Sequence, residues 1–172
     1  MTSLYDIVVP TLTSILKAEQ HLLTQAEAFA AEKGTPISEI LELRIAPDMW
    51  PLSQQIMITA LHTGSFLSKV AGLTPNKVVF GPASLEDSKK YLAESLAFLE
   101  TVKPEDLNGK EDKVLTAQLG PGYEPEMTAV NYAQGYLLPN VYFHLTTLYN
   151  LLRSNGLQLG KKDYISSFVR LL

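Results

Sequence analysis

The sequence predicts an all-α fold, a four-helix bundle forming a single domain over residues 1–172, and three observations carry that prediction. Four long segments repeat apolar residues at steps of three and four, the spacing that keeps one helical stripe against a core. Strand-like alternation is confined to KVLTAQLGPGYEPEMTAV, which reads as a small hairpin ahead of the fourth helix. No βαβ alternation appears, so a parallel sheet is not expected.

The first helix carries Tyr5, Val8, Leu12, Ile15, Leu22, Ala26 and Phe29 on its stripe. Ser3 and Asp6 are spaced as a capping pair, Gly34 with Pro36 closes the helix, and Pro10 either bends it or marks its start. ISEILELR adds a short helical piece, and RIAPDMWPL, with prolines four residues apart, is a connector. The second helix runs from Pro51, suited to a first-turn position, through Leu52, Ile56, Thr63, Phe66 and Val70 to Gly72. LTPNKVVFGPAS leads to Ser84, which with Asp87 caps a third helix bearing Leu85, Leu92, Leu96 and Leu99; Pro104 lies just past its end. Thr128 caps the fourth helix, which stops at Asn155-Gly156 and contains Pro139, predicting a kink or break. A tail, LQLGKKDYISSFVRLL, closes with a short amphipathic piece.

A composition that is 46% hydrophobic supplies enough apolar material for a sizeable core. Net charge is −4, from 14 basic and 18 acidic residues, and no cluster of Lys and Arg could neutralise several phosphates, so nucleic acid is not an expected partner. The absence of cysteine removes disulfides, thiolate metal sites and a cysteine nucleophile, and fits a cytoplasmic setting. MTSLYDIVVP lacks the features of a signal peptide, and no run approaches the roughly 20 apolar residues that a bilayer requires. A membrane partner is not expected.

Polar residues on the apolar stripes are the candidates for function. On the fourth helix, His144 interrupts the series Leu137, Val141, Leu148 and Leu151. Asn140 lies one turn earlier, where its amide is placed to partner the imidazole, and Thr147 follows. Two readings are open: a core histidine tied to a neighbouring helix, or a pocket residue acting as general base or ligand contact. Gln55, Thr59, His62 and Phe66 share a stripe on the second helix, with Arg44 and Asp48 in the connector before it. Asp48 either caps that helix, with Arg44 paired to it, or joins Arg44 and Gln55 in orienting a polar ligand at one mouth of the bundle.

Glu19 falls on the first stripe, so Glu19, His62 and His144 form a conceivable ligand set for a divalent ion such as zinc or nickel. No HxxxH or HExxH pair supports it, and Glu19 can equally pack its stem at the rim with its carboxylate in water. His21, beside Lys17, reads as solvated. Tyr132, Tyr136, Tyr142 and Tyr149 either line an aromatic cavity or cover the rim of a core or a subunit interface. No GxSxG elbow, Walker loop or dinucleotide fingerprint is present.

Two blocks, RIAPDMWPLSQQ at 44–55 and LPNVYFHLTTLYNLLRSNGLQLGKKDYI at 138–165, together with LYDIVVP and FLETVKPEDLNGKED, carry a resemblance over nearly the whole chain. The sequence resembles an uncharacterised domain-of-unknown-function family of fungi and bacteria within the DinB/YfiT-like four-helix-bundle superfamily. That resemblance implies a long crossover between the second and third helices and a homodimer. Better-known members bind a metal through three histidines, two of them one turn apart; here the positions one turn either side of His144 are Asn140 and Leu148, so the triad is incomplete. If a site persists, the resemblance places it around Asn140 and His144, with Arg44, Asp48 and Gln55 opposite; Tyr142 and Thr147, on the same helix, are further ligand-binding candidates.

The leading expectation is therefore a pocket for an unknown small molecule around His144, with the imidazole as a metal-independent acid or base and no cofactor. The alternatives are a metal-dependent hydrolase or thiol transferase of the DinB type, and a non-catalytic dimeric binding or structural module.

Overall fold

The computed structural model describes residues 2–169, so the last three residues of the tail, Arg170 to Leu172, lie outside the described part. Its elements follow the sequence signals closely. Helix α1 spans Leu4–Lys33: Ser3 accepts the Asp6 amide while the Asp6 carboxylate takes the Ser3 N–H, and Gly34 ends the helix in the left-handed conformation. Pro10 sits inside α1 and does not begin it. The short α2 (Ile37–Leu41) follows, then the connector, then α3 (Leu52–Ala71), which ends at left-handed Gly72. Pro51 stands at the N-cap of α3, one place before the position its ring suggests.

Residues 72–84 cross over to α4 (Leu85–Thr101), capped reciprocally by Ser84 and Asp87. This is the long crossover between the second and third long helices. Pro104 does more than follow a helix end, because it opens a further short helix, α5 (Pro104–Leu107). The hairpin pairs β1 (Val114–Thr116) with β2 (Glu126–Thr128) antiparallel, Leu115 opposite Met127.

Thr128 caps α6 (Ala129–Tyr132), and the chain continues through one π-helical stretch, Ala133–Leu137, into α7 (Leu138–Ser154). Pro139 cannot donate a backbone hydrogen bond, and the wider turn just before it absorbs that loss without stopping the helix. The tail forms α8 (Lys161–Ile165) and a 3₁₀ turn at Ser166–Phe168, packed on α1. His21 is not simply solvated: its Nε2 lies 2.9 Å from Asp163 Oδ1, fastening that tail to α1.

Helices α1 and α3 each pack on both α4 and α7, so the first and second long helices face one another diagonally, as do the third and fourth. Leu12, Ile15, Leu16, Leu22, Ile56, Phe66, Leu67, Leu92 and Leu148 fill the interior. Among the described residues, no helix is long and apolar enough to cross a membrane. One polar layer interrupts this core where α1, α3 and α7 meet, and the candidate site grows from it.

Candidate functional site around His144

The site begins with the connector between α2 and α3. Leu52 N–H donates to Leu43 C=O at 3.0 Å and Met49 N–H to Ala46 C=O at 3.0 Å, so the chain folds into a closed loop. Arg44 braces this loop, because its Nη1 donates to Met49 C=O at 2.7 Å while Nη2 lies 3.4 Å from the Glu42 carboxylate. Arg44 therefore does not pair with Asp48, and its guanidinium is engaged within the connector. Asp48 does not cap α3, whose N-cap makes no side-chain hydrogen bond; its carboxylate is exposed and has no protein partner among the described residues.

Gln55, in the first turns of α3, locks the loop to the bundle. Its Nε2 donates to Trp50 C=O at 2.8 Å, and its Oε1 lies 2.7 Å from His144 Nδ1 on α7. The Trp50 carbonyl can only accept, which orients the Gln55 amide and makes Oε1 an acceptor toward the imidazole. His144 Nδ1 must then carry the proton and donate. Nε2 keeps its lone pair and has no protein partner among the described residues. The expected partner was Asn140, but its Nδ2 donates back to Tyr136 C=O at 2.6 Å, beside the π-helical stretch, and it takes no part in holding the imidazole.

His144 is only 6% exposed. Its ring stacks on Trp50 at 6.2 Å between centroids and on His62 at 6.3 Å, and it meets the edge of Phe143 at 5.4 Å. Burial, assisted by the nearby His62, pushes the His144 imidazole down to about 4, so it is neutral at physiological pH. His62 is also pushed down, chiefly by burial and secondarily by Lys69.

Asp48, Met49, Trp50, Gln55, Asn140, Phe143 and His144 line an open recess of about 370 Å³. The structure thus brings Asp48, Gln55, Asn140 and His144 together as expected. It sets three others aside: Arg44 is committed to the connector, Tyr142 stacks on Phe168 at 5.9 Å, and Thr147 is buried away from the recess. The walls went unnoticed in the sequence. Trp50 and Phe143, 44% and 55% exposed, are large aromatic surfaces left facing solvent beside a buried imidazole. Phe143 lies off the apolar stripe of its helix and Trp50 is the only tryptophan, in a connector; those were the available signals.

Below this layer, Glu19 is fully buried, contrary to a stem at the rim with its carboxylate in water. Its Oε1 lies 2.7 Å from Thr59 Oγ1, which is also 3.2 Å from Gln55 C=O, while Oε2 has no partner. Burial holds the Glu19 carboxyl well above the usual carboxylate range, against a smaller opposing effect of the Thr59 hydroxyl. The Thr59 hydroxyl donates to Glu19 Oε1, the contact that opposes this rise, and leaves Glu19 Oε2 as the buried oxygen without a partner. Glu19, His62 and His144 do not assemble as metal ligands: among the described residues no group of three His, Asp or Glu side chains is placed to hold an ion. Glu19 points into a hydroxyl contact, and the two imidazoles are stacked rather than aimed at a common point.

The architecture recurs in a solved structure. A DinB family member protein from Shewanella denitrificans superposes with a TM-score of 0.83 at 28% identity, over 94% of this chain and 91% of that one. No curated protein matches the sequence. The family described as a domain of unknown function, DUF1993, matches residues 4–165. That match spans the bundle, the connector and α7 alike, and with it the chain belongs to the DUF1993 family, on a DinB-like helical fold.

Proposed function

We propose that this protein binds a small molecule in the recess between the Arg44–Pro51 connector and α7, with His144 Nε2 as the hydrogen-bond acceptor at its base. The observation that carries this reading is the Trp50–Gln55–His144 chain. Its two hydrogen bonds fix the tautomer and orientation of a buried imidazole, yet leave the second nitrogen without a protein partner. A structural histidine bridging helices would normally employ both nitrogens. Apolar walls with a few fixed polar groups are the usual makeup of a ligand site.

Binding fits the imidazole better than acid–base catalysis does. A general base works best with a pKa near the operating pH. At about 4, His144 lies some 3 units below neutrality, so its lone pair accepts a hydrogen bond but retains a transferred proton poorly. The role suited to it is recognition.

Fragment binding followed by NMR tests this reading. Ligands of the site should shift the His144 ring signals and the Trp50 indole signal together, and His144→Leu should remove the response while leaving the protein folded. Fragments that bind only elsewhere, with both residues unmoved, would overturn the proposal.

A further inference from the structure

The recess has an unusual polarity, which follows from where its amide and guanidinium groups are committed. Gln55 Nε2 donates to Trp50 C=O at 2.8 Å, and Asn140 Nδ2 donates to Tyr136 C=O at 2.6 Å. Both partners are carbonyls, so neither amide can reverse without setting oxygen against oxygen. Each amide therefore spends one of its two N–H groups within the protein and has its orientation fixed. Gln55 Oε1 in turn takes the Nδ1 proton of His144.

The acceptors left on the recess are the lone pair of His144 Nε2, the amide oxygen of Asn140 and the carboxylate of Asp48, and the donors beside them, the second amide N–H groups and the Trp50 indole N–H, are all neutral. The one formal charge on the recess is the negative charge of Asp48. No Lys or Arg lines the recess; the nearest guanidinium in the connector, Arg44, is held by Met49 C=O and the Glu42 carboxylate. The remaining wall is Trp50, Phe143 and Met49, and aromatic faces attract cations as well as apolar groups.

Resting on the reading that this recess binds a small molecule, we infer that its ligand is an organic ammonium: a protonated amine on an apolar body, its N–H groups meeting His144, Asn140 and Asp48 and its body lying on Trp50 and Phe143. Carboxylates and phosphates are disfavoured, since they would meet a like charge at Asp48 with no cationic donor to receive them. Metal coordination is a poorer match, because Asp48 and His144 are the only charged or imidazole ligands on the recess.

Trp50 is the only tryptophan in the chain, so intrinsic fluorescence reports on this wall alone. The test titrates the protein, with a chelator present, using three probes of nearly equal shape: 2-phenylethylamine, 2-phenylethanol and 3-phenylpropionate. The amine should change Trp50 emission with a Kd of about 1 mM, typical of a fragment of this size, and bind at least about ten-fold more tightly than the carboxylate. Asp48→Asn, a change at an exposed side chain without protein partners, should weaken the amine by about five-fold at low salt and leave the alcohol unaffected. Equal or tighter binding of 3-phenylpropionate at Trp50 would overturn the ammonium assignment while leaving the recess a binding site. No response of Trp50 or His144 to any probe at about 10 mM, roughly ten times the expected Kd, would overturn both readings.

Discussion

Gln55 and His144, 89 positions apart in the chain, meet at 2.7 Å with both side chains buried, and the same carboxamide reaches 2.8 Å to the carbonyl of Trp50. One side chain therefore sets the imidazole tautomer, attaches α7 to α3 and holds the connector that forms the far wall of the recess. Replacing it should affect all three.

Gln55→Leu keeps comparable bulk but strips the partner from a buried imidazole N–H and from a carbonyl. Leaving such groups unsatisfied costs about 1–3 kcal/mol, which urea unfolding would measure. Gln55→Glu has a different signature, since a carboxylate facing Nδ1 favours the imidazolium. The His144 pKa should rise from about 4 by roughly 1–3 units, read from its ring protons by NMR.

Acid should destabilise the fold through His144. Its folded pKa is about 4 against 6.5 for an unperturbed histidine, so between those values the unfolded chain holds a proton that the folded chain lacks. Stability then falls as pH drops from 6.5 and levels off near 4, by at most about 3 kcal/mol from this residue. His62, shifted in the same direction, adds to the slope. Urea unfolding of the wild type and His144→Gln across that range should show a smaller acid loss in the variant. Identical slopes would mean that the imidazole is already charged, or solvated, in the fold.

Glu19 acts in the opposite sense. Its folded pKa is raised, so above the ordinary carboxyl range the folded chain retains a proton that the unfolded chain has released, and stability declines as pH rises. Glu19→Gln preserves shape and an acceptor beside Thr59 without that linkage. Its stability relative to wild type should improve as pH rises above the ordinary carboxyl range, as thermal unfolding at each pH would report.

The crossover depends on Gly64. A Cβ there would lie 2.7 Å from Pro75 Cβ, closer than packed carbons allow, and the proline ring has little freedom to retreat. Gly64→Ala should cost about 1–3 kcal/mol despite its gain in helix propensity, because the 72–84 segment must lift from α3. Chemical denaturation gives the cost, and amide exchange should show the loss of protection centred on residues 72–84. An alanine variant as stable as wild type would contradict this packing.

The fold was legible because its signals are local. Ser3 with Asp6, Ser84 with Asp87 and Thr128 each satisfy amides within three residues, while Gly34 and Gly72 supply left-handed φ where a side chain would be strained. The Pro104 turn escaped notice because a proline that follows one helix can equally begin another. Within the site, the apolar stripe made it possible to infer that His144 faces inward. Its partner was not legible: Asn140 had the right helical spacing, but it serves Tyr136 C=O beside the π-helical stretch, and Gln55 arrives from another helix. Arg44 and Asp48 look like a pair in the sequence, and only the closed loop reveals that a carbonyl at Met49 has claimed the guanidinium.

The state of the His144 ring at neutral pH is the most direct test of this picture, and long-range ¹H–¹⁵N correlation of the imidazole measures it. The expected spectrum has a protonated Nδ1 and an unprotonated Nε2, with Nε2 moving upfield when 2-phenylethylamine donates to it. An Nε2–H tautomer, or a doubly protonated ring at pH 7, would contradict the account, because the recess would then present a donor where a lone pair is required.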